Sequence, residues 1–413
     1  MADCRTRVLG RPILFTMLAA SVARSIETLP DRFIGSPLTA RYRLNVDDLA
    51  TDVLVDARSC ELSAPGDLCD AEISTDSRTW AAMDAGRLSG IEAFATRRLV
   101  IRGSIERSLH FEPSFERPER GGVRYALHML PAGRCRISAL VAGPRQAPPL
   151  LLIHGLGATK ASWLTVVGRL AKHHRVIAVD LPGFGASSKP NAPYDARWFA
   201  ERLLQMLDEL GYSSAAVAGN SMGGRVAMEM GMRAPDRIDG IVCLCPATAF
   251  SNRPALALAR VARPELGLLV GRLPRSHVMN GLRGLFADPS RLHHTWYEAA
   301  IDDFLATWRS PRARVAFFRA LRHIYLDEPL GENGFWPRLS ALQIPAMYVY
   351  GRHDILITHH FSKKVARHLP HAEVSVWRDC GHVPQIEFPE RTSELMLDFL
   401  SRTTSAVERM EAG

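Results

Sequence analysis

A serine between glycines is the first residue of this sequence whose setting suggests catalysis. It lies in the run Gly219-Asn220-Ser221-Met222-Gly223-Gly224, after the apolar segment 215–218 and before a helical pattern over 225–233. The Gly-x-Ser-x-Gly spacing between a strand and a helix is typical of a nucleophile held on a very tight turn, where glycines let the chain double back. The N-terminus of the following helix stabilises negative charge. The pattern therefore predicts Ser221 as a nucleophile, with Asn220 as a candidate substrate-binding neighbour.

A serine hydroxyl is a weak nucleophile unless a base removes its proton, so a histidine and an orienting carboxylate are expected elsewhere in the chain. His382 and Asp354 each lie in a loop that follows an apolar, strand-like run. The chain order serine, aspartate, histidine is one of the known orders of a serine triad. We therefore predict Ser221, Asp354 and His382 as the catalytic residues. Asp379, which shares the loop of the histidine, is interpreted as a surface turn residue.

A tetrahedral intermediate needs N–H donors that stabilise its negatively charged oxygen. One donor is expected at the residue after the nucleophile, Met222, and another in the loop His154-Gly155-Leu156-Gly157. We predict the N–H of Leu156 as the second donor, with Gly155 as the alternative, because glycines permit a close approach of backbone to substrate. His154 is interpreted as structural.

The elements that must position these residues divide the chain into three zones. The first zone, residues 1–117, alternates short strand-like runs with helical patterns. The second zone, residues 118–250 and 340–413, alternates strand and helix patterns, which indicates a parallel sheet. The third zone, residues 251–339, interrupts the second and is mostly helical in pattern. The run 113–122 contains two prolines and two glycines and is the predicted linker between the first zone and the rest.

The motifs of the second and third zones resemble those of the α/β-hydrolase fold family. The resemblance covers residues 123–405 and implies a mostly parallel eight-stranded sheet with helices on both faces. It also implies a helical cap at 251–339, inserted in the hydrolase core of residues 118–250 and 340–413 after the sixth strand. The motifs stand in the expected order: His154-Gly155-Leu156-Gly157, Asp180-Leu181-Pro182-Gly183-Phe184-Gly185-Ala186-Ser187, the serine turn, Gly351-Arg352-His353-Asp354 and Gly381-His382.

The chemistry of that family is broad, and the residue at the tight turn narrows it. Haloalkane dehalogenases and epoxide hydrolases of this fold use an aspartate where this chain has Ser221. The run from Asn220 to Gly224 looks like the carbon–carbon hydrolases of aromatic and sterol-ring breakdown, yet Val383 stands where those enzymes usually carry a tryptophan. An esterase, lipase or thioesterase that works through an acyl-enzyme is therefore the main prediction. A carbon–carbon hydrolase is the alternative.

The first zone has no polar cluster suited to catalysis between residues 30 and 115. Its pattern predicts a small α+β module with an apolar interior. Gly86 is the predicted C-cap of its first helix. The predicted strands are 41–46, 52–57, 70–76, 99–102 and 106–110, and the predicted helices are 77–85 and 89–95.

The stretch from Thr79 to Gly103 resembles the sterol carrier protein family, and the resemblance extends over about residues 25–112. It implies a lipid-binding domain, 1–117, in which a small sheet and helices enclose an apolar tunnel for fatty acyl or sterol-like ligands. Two departures are Arg97, where a glycine is usual, and Ser104, where an acid is common. The alternative is a packing or dimerisation module that has kept the fold and lost the ligand.

Composition excludes several other classes of protein. Of the 413 residues, 47% are hydrophobic and 23% are charged, which argues against a disordered chain, a collagen-like fibre and a polytopic membrane protein. The net charge of +8 comes mostly from arginines spread along the chain without a nucleic-acid motif, so no nucleic-acid partner is predicted. Seven cysteines without zinc-binding spacing favour a reducing compartment, the cytoplasm, and imply no metal site. No nucleotide cofactor is implied either.

Two segments bear on membranes. Residues 1–25 are interpreted as an amphipathic first helix, with a short signal peptide as the alternative. Residues 251–283 interleave six arginines with leucines and valines, which suits either a cap helix over the active site or a peripheral contact with anionic lipid. Flotation with anionic vesicles tests that contact, because a chain that stays unbound contradicts it.

The combined prediction is a lipid-binding module followed by a serine hydrolase that cleaves apolar, lipid-like esters. The motivation is that both parts independently point to apolar small molecules. Two rivals stay open: a carbon–carbon hydrolase of ring degradation, and a non-catalytic lipid-transfer protein whose hydrolase part is a scaffold. The ordered serine, aspartate and histidine argue against the scaffold.

Overall fold

The computed structural model of the chain describes residues 10–249, 263–269 and 271–411. The chain divides into two compact units, Met1–Val123 and Arg124–Gly413. The division falls one residue after the two glycines of the predicted linker. Among the described residues, no helix is long and apolar enough to cross a bilayer.

A five-stranded sheet forms the centre of the N-terminal unit, and four α-helices are described around it. Short 3-10 turns lie at Pro30–Arg32 and Glu112–Ser114. The elements in chain order are α1 (Gly10–Glu27), β1 (Ala40–Val46), β2 (Leu49–Val55), β3 (Cys60–Ser63), β4 (Ala71–Thr75), α2 (Ser77–Asp84), α3 (Gly90–Ala95), β5 (Leu99–Gly103) and α4 (Ile105–Ser108).

Strand β1 lies at the middle of this sheet. It pairs antiparallel with β2 and parallel with β4, while β3 continues the sheet beyond β2 and β5 continues it beyond β4. Alternate residues of β1, among them Tyr42 and Leu44, are buried, because successive side chains of a strand point to opposite faces. Trp80 of α2 and Phe94 of α3 are also buried. These apolar side chains form the interior that the sequence predicts.

Side-chain caps define where helices α2 and α3 begin. Asp76 accepts a hydrogen bond from the N–H of Thr79 at 2.9 Å, and Ser89 and Glu92 form a reciprocal capping box. Gly86 follows α2 with φ 68°, in the left-handed region that glycine enters without steric cost. Both predicted helices are therefore confirmed, with one end of each shifted by one residue.

The predicted strand at 106–110 is wrong, because this segment belongs to helix α4 and the turn after it. Ser104 starts the helix, since its hydroxyl accepts the N–H of Arg107 at 3.1 Å. Ile105 and Leu109 are both buried, and their four-residue spacing places them on one side of a helix. The short strand β3 was not predicted either; its residues are half-buried or exposed and carry little hydrophobic pattern.

The two departures from the sterol carrier pattern have a local structural basis. Arg97 follows α3 at φ 61°, in the left-handed region that explains why a glycine is usual there. Ser104, where an acid is common, supplies the side-chain oxygen that an acid would supply as a helix cap. Neither departure removes an element of the fold.

An eight-stranded sheet with helices forms the C-terminal unit. Further 3-10 turns lie at Lys160–Trp163, Pro235–Arg237 and Pro289–Arg291. The strands are β6 (Tyr125–Ala132), β7 (Cys135–Ala142), β8 (Pro149–Ile153), β9 (Arg175–Val179), β10 (Ala215–Asn220), β11 (Ile238–Leu244), β12 (Ala346–Gly351) and β13 (Glu373–Trp377). The described helices are α5 (Leu164–Leu170), α6 (Ala196–Glu209), α7 (Met222–Arg233), α8 (Leu266–Leu269), α9 (Arg275–Arg283), α10 (His294–Trp308), α11 (Pro311–Leu326), α12 (Phe335–Ser340), α13 (Phe361–His368), α14 (Pro384–Glu387) and α15 (Pro389–Glu411).

The strand order of this sheet is β13-β12-β11-β10-β8-β9-β7-β6, and it confirms the predicted mostly parallel eight-stranded sheet. The pairs of β7 with β6 and with β9 are antiparallel, and the other neighbours are parallel. All residues of β10 and β12 are buried, as expected for strands covered by helices on both faces. The carboxyl ends of the parallel strands meet at one edge, where ligands bind in sheets of this kind.

Helices α8 to α12 lie in sequence between β11, the sixth strand of this unit, and β12. Their position agrees with the predicted insertion, and their role as a cap stays a prediction. Of the predicted basic stretch, Arg253 and Arg260 lie outside the described residues. Leu268 and Leu269 of α8 are 61% and 79% exposed, so this part of the stretch presents apolar side chains to its surroundings.

A buried ion pair holds the loop after β9. The Lys160 ammonium lies 2.9 Å from a carboxylate oxygen of Asp180, and both side chains are fully buried. The same carboxylate accepts the N–H groups of Lys160 at 2.7 Å and of Ala186 at 2.9 Å. Gly185, at φ 46°, lies directly against this carboxylate and leaves no room for a side chain. The Asp180–Ser187 motif is therefore a structural feature of the sheet edge.

Candidate active site

Ser221 stands on a strained turn between β10 and α7. Its backbone angles are φ 55° and ψ −115°, a conformation that residues with a side chain rarely adopt. The end of β11 holds the turn, because the N–H of Ser221 donates to the carbonyl of Leu244 at 2.9 Å. The carbonyl of Ser221 accepts the N–H of Ala247 at 2.9 Å. The sequence prediction of a tight strand–turn–helix is therefore confirmed in its geometry.

Two glycines of the motif are required because a side chain at either position would clash with neighbouring backbone. A Cβ atom at Gly223 would lie 2.6 Å from the carbonyl carbon of Ile153, in strand β8. A Cβ atom at Gly219 would overlap the backbone of Gly223 and Gly224. Only residues without a side chain therefore let helix α7 start this close to the sheet.

Asp354 and His382 form a buried, hydrogen-bonded pair. The Nδ1 atom of His382 lies 2.7 Å from Oδ2 of Asp354, and the two side chains are 5% and 0% exposed. The other oxygen of Asp354 accepts the N–H groups of Leu356 and Ile357, each at 2.8 Å. The carboxylate is therefore fixed by its own loop, and it orients the imidazole with Nδ1 protonated so that Nε2 can accept a proton.

Asn220 connects the nucleophile turn to the histidine loop. Its side-chain amide donates to the carbonyls of Leu244 and His382, each at 3.0 Å, and the residue is 4% exposed. Both N–H donors of the amide are thus used on the backbone. These bonds favour a positioning role for Asn220, and its contact with substrate stays a prediction.

The loop after β8 lies directly against the nucleophile. A Cβ atom at Gly155 would lie 3.2 Å from Cβ of Ser221. Leu156 follows it and is half-buried, and Met222 is the first residue of α7, whose N–H has no partner within the helix. The loop that carries Leu156 therefore lies against the turn of Ser221 and Met222, and the roles of Leu156 and Met222 as oxyanion donors stay predictions.

His154 is held by backbone on both sides of its ring. Its Nε2 accepts the N–H of Leu181 at 2.9 Å, so the proton lies on Nδ1, which is 2.7 Å from the carbonyl of Gly155. Burial lowers the pKa of this imidazole and keeps it neutral. These contacts favour the structural interpretation of His154.

Glu387 is a buried residue of the site that sequence reasoning missed. One carboxylate oxygen accepts the N–H of Gly381 at 2.8 Å, and the other accepts those of Ala287 and Asp288, each at 3.1 Å. The N–H of His382 donates to the carbonyl of Leu285 at 2.6 Å. The histidine loop is therefore bound to residues 285–288. No motif marks Glu387, and its position five residues after the histidine carries no signal by itself.

If the chain hydrolyses esters as predicted from the sequence, we expect Glu387→Ala to lower kcat by about 10- to 100-fold while KM changes little, because displacing a catalytic group by about 1 Å costs rate of that order. The variant leaves three N–H groups without their acceptor and loosens the backbone of His382. The control is Glu390→Ala, since the side chain of Glu390 is 58% exposed and pairs with Arg169 at 3.5 Å on the surface, where an ion pair contributes little. Steady-state kinetics of both variants checks the prediction, and equal kcat values for the two contradict it.

Two family models match the chain. The model described as alpha/beta hydrolase fold matches residues 148–389, and the model described as the SCP-2 sterol transfer family matches residues 35–116. The first match alone covers more than half of the 413 residues. Both resemblances predicted from the sequence are therefore confirmed.

Relatives among characterised proteins carry several names. The chain is 31% identical to the dihydrolipoyllysine-residue acetyltransferase component of the acetoin cleaving system from Pseudomonas putida, over 63% of this chain and 65% of that protein. It is 29% identical to 2-hydroxymuconate semialdehyde hydrolase from Pseudomonas sp. (strain CF600), over 62% of this chain and 88% of that protein. The crystal structure of a membrane phospholipase A aligns with a TM-score of 0.58 at 28% identity, over 68% of this chain and 87% of that one.

All three alignments span about two thirds of this chain, a share that fits the C-terminal unit. Their names differ in chemistry, so the fold that they share does not decide the substrate. The chain belongs to the alpha/beta hydrolase fold family and carries an SCP-2 sterol transfer domain at its N-terminus.

Proposed function

We propose that the chain is a serine hydrolase of apolar, lipid-like carboxylic esters. The observation that carries the proposal is the geometry around Ser221, whose strained turn lies against the loop of Gly155 while Asn220 bonds the backbone of His382. His382 is in turn oriented by the buried Asp354. Strained backbone of this kind clusters at active sites, which supports the proposal.

The proposed reaction has two halves. His382 removes the proton of Ser221 through Nε2, and the serine oxygen attacks the ester carbonyl. The N–H groups of Met222 and Leu156 stabilise the resulting oxyanion. The imidazolium, held by Asp354, donates its proton to the leaving alcohol, and an acyl-enzyme remains. Water, activated by the same histidine, then attacks the acyl-enzyme and releases the acid.

Aromatic side chains beside the oxyanion loop support an apolar acyl site. A Cβ atom at Gly157 would lie 3.0 Å from the ring of Phe317 and 3.2 Å from that of Phe304. Phe317 and Leu156 are half-buried and pack against the main apolar core. An acyl chain that enters next to the oxyanion hole would therefore meet apolar surface.

Turnover of p-nitrophenyl esters of increasing acyl length tests the substrate class. Each buried methylene contributes about 0.8 kcal/mol, so we expect kcat/KM to rise about two- to fourfold per methylene until the acyl site is full. A profile that falls with length from the acetate onward contradicts the apolar acyl site. Absence of turnover with every ester, by a folded chain, contradicts ester hydrolysis itself.

Carbon–carbon bond hydrolysis is the second candidate. The 2-hydroxymuconate semialdehyde hydrolase among the relatives favours it, as does the Asn-Ser-Met-Gly-Gly run. Val383, 7% exposed, packs beside Phe286 and Ile386 rather than supplying the tryptophan usual in that group. This candidate predicts turnover of vinylogous diketones and little turnover of simple esters.

For the N-terminal unit we propose that it binds a lipid and presents it to the hydrolase. The SCP-2 family match supports a lipid ligand. A cleft of about 40 Å³, lined by apolar residues and two ion pairs, lies within the unit and has room for only a few water molecules, so a lipid requires its side chains to move apart. Its lining residues are Leu29, Arg32, Trp80, Met83, Asp84, Phe111, Glu112, Phe115 and Arg117.

A fluorescent fatty acid titrated into the full chain tests this lipid site. We expect saturable binding of one ligand per chain, and a several-fold weaker affinity for Met83→Phe, because the larger side chain fills the cleft. Met17→Phe is the control, since Met17 is 67% exposed on α1. Equal affinities for both variants contradict the site, and absence of saturable binding favours the packing module.

A further inference from the structure

A cysteine that the proposed mechanism does not use lies beside the Asp354–His382 pair. The Sγ atom of Cys245, a carboxylate oxygen of Asp354 and a ring nitrogen of His382 all lie within 4.8 Å of one another. Cys245 follows directly after β11 and is fully buried. Cys245 lies more than a hundred positions before the other two residues, so the spacing of the cysteines did not indicate that it would join the predicted pair.

The backbone holds Cys245 firmly in this place. Its φ angle is 45°, in the left-handed region that a residue with a side chain rarely adopts. Its N–H donates to the carbonyl of Val349 at 2.7 Å, and its Sγ lies 3.5 Å from the carbonyl of Gly381. The thiol is therefore directed toward the loop of His382 rather than into the apolar core.

The three donor types match the preferences of zinc. Zn²⁺ binds cysteine sulfur, histidine nitrogen and carboxylate oxygen, usually in a tetrahedron, which places ligand atoms about 3.5 Å apart. The ligand atoms lie on both sides of that value, with 2.7 Å between Nδ1 of His382 and Oδ2 of Asp354 and at most 4.8 Å between any two of the three atoms, so small side-chain rotations suffice to reach it. Because Oδ1 of Asp354 is bound by its own loop, Oδ2 is the oxygen presented to a cation.

We propose that Cys245, Asp354 and His382 form an inhibitory site for a thiophilic divalent cation such as Zn²⁺. The cation replaces the thiol proton of Cys245, which goes to solvent, and it takes the place of the Nδ1 proton of His382, which moves through solvent to Nε2 so that the imidazole stays neutral. Asp354 contributes a carboxylate oxygen, and water completes the tetrahedron. A metal-bound imidazole loses its hydrogen bond to Asp354 and cannot alternate as base and acid. Metal binding at this site does not depend on the proposed ester hydrolysis, whereas the inhibitory effect of the metal rests on it.

Cobalt binding to the full chain tests the site without any substrate. Co²⁺ bound to a thiolate gives a charge-transfer absorption in the near ultraviolet. We expect this band in the wild type and its loss in Cys245→Ala and, if alanine destabilises the chain, in Cys245→Ser. Cys243→Ala is the matched control, because Cys243 is equally buried two residues earlier and its Sγ lies 3.7 Å from the carbonyl of Gly224 instead. A band that survives in Cys245→Ala, or no band in the wild type, overturns the proposal.

Ester turnover in rising Zn²⁺ tests the inhibitory effect, each variant being compared with its own metal-free rate. We expect Zn²⁺ to inhibit the wild type and Cys243→Ala, a chelator to restore activity, and Cys245→Ala to need at least about tenfold more Zn²⁺, the order of loss seen when a metal-site partner is removed. Equal inhibition of Cys245→Ala and the wild type contradicts the assignment. If no chain turns over esters, the proposed function fails while the cobalt band still decides the metal site.

Discussion

Ser221→Ala should lower kcat for a p-nitrophenyl ester by about 10⁶-fold, the size of effect known for loss of a serine nucleophile. The reason is that no other hydroxyl occupies the strained turn next to the loop of Gly155. Substrate binding should change little, because alanine retains the backbone N–H groups of the oxyanion site. Steady-state kinetics measures the loss, with kcat calculated from the concentration of folded protein in each preparation.

The matched control for this experiment is Ser401→Ala on α15. The hydroxyl of Ser401 is exposed and donates to the carbonyl of Asp398, one turn earlier in the same helix. We expect wild-type kinetics from this variant. An Ser221→Ala chain that retains more than a few percent of wild-type turnover would remove the serine from the reaction.

Asp354→Asn should lower kcat by about 10³- to 10⁴-fold, because the amide no longer fixes the imidazole tautomer with its proton on Nδ1. The oxygen of the new side chain can still accept the N–H groups of Leu356 and Ile357, so the loop keeps its shape. Its NH₂ group then faces Nδ1 of His382 and favours the tautomer that cannot take the serine proton. KM should change far less than kcat.

Asp379→Asn serves as the control for the aspartate. Asp379 lies three residues before His382, is 54% exposed, and pairs with Arg391 at 3.6 Å. An exposed pair of this kind contributes little, so kcat should stay within about twofold of wild type. If Asp379→Asn were the more damaging substitution, the assignment of the orienting carboxylate would be wrong.

The sequence predicts the fold of the C-terminal unit well because local steric constraints require the residues of its motifs. Gly219 and Gly223 are required where helix α7 starts against β8, and Gly185 is required against the carboxylate of Asp180. Steric constraints of this kind place glycines at fixed distances from the nucleophile and from the aspartate, and such spacings can be recognised in a sequence. The tight turn at Ser221 and the strand that precedes Asp354 could therefore be predicted from short runs of residues.

Residues whose partners are distant in sequence were missed or interpreted differently. Glu387 bonds the backbone of residues 287 and 288, about a hundred positions away, and Asn220 bonds the carbonyl of His382, 162 positions away. The partners of these polar side chains exist only in the folded chain. The error at 106–110 has a local cause instead, because the helix cap at Ser104 outweighs a run that resembles a strand.

Mapping the covalent intermediate tests the central claim most directly. The full chain is mixed with an excess of a long-chain p-nitrophenyl ester, quenched in acid, and digested for mass spectrometry. We expect a single acyl group on the peptide that contains Ser221, absent from Ser221→Ala and present in Ser401→Ala. Ester turnover with no acylated peptide, or with the acyl group on another residue, contradicts it.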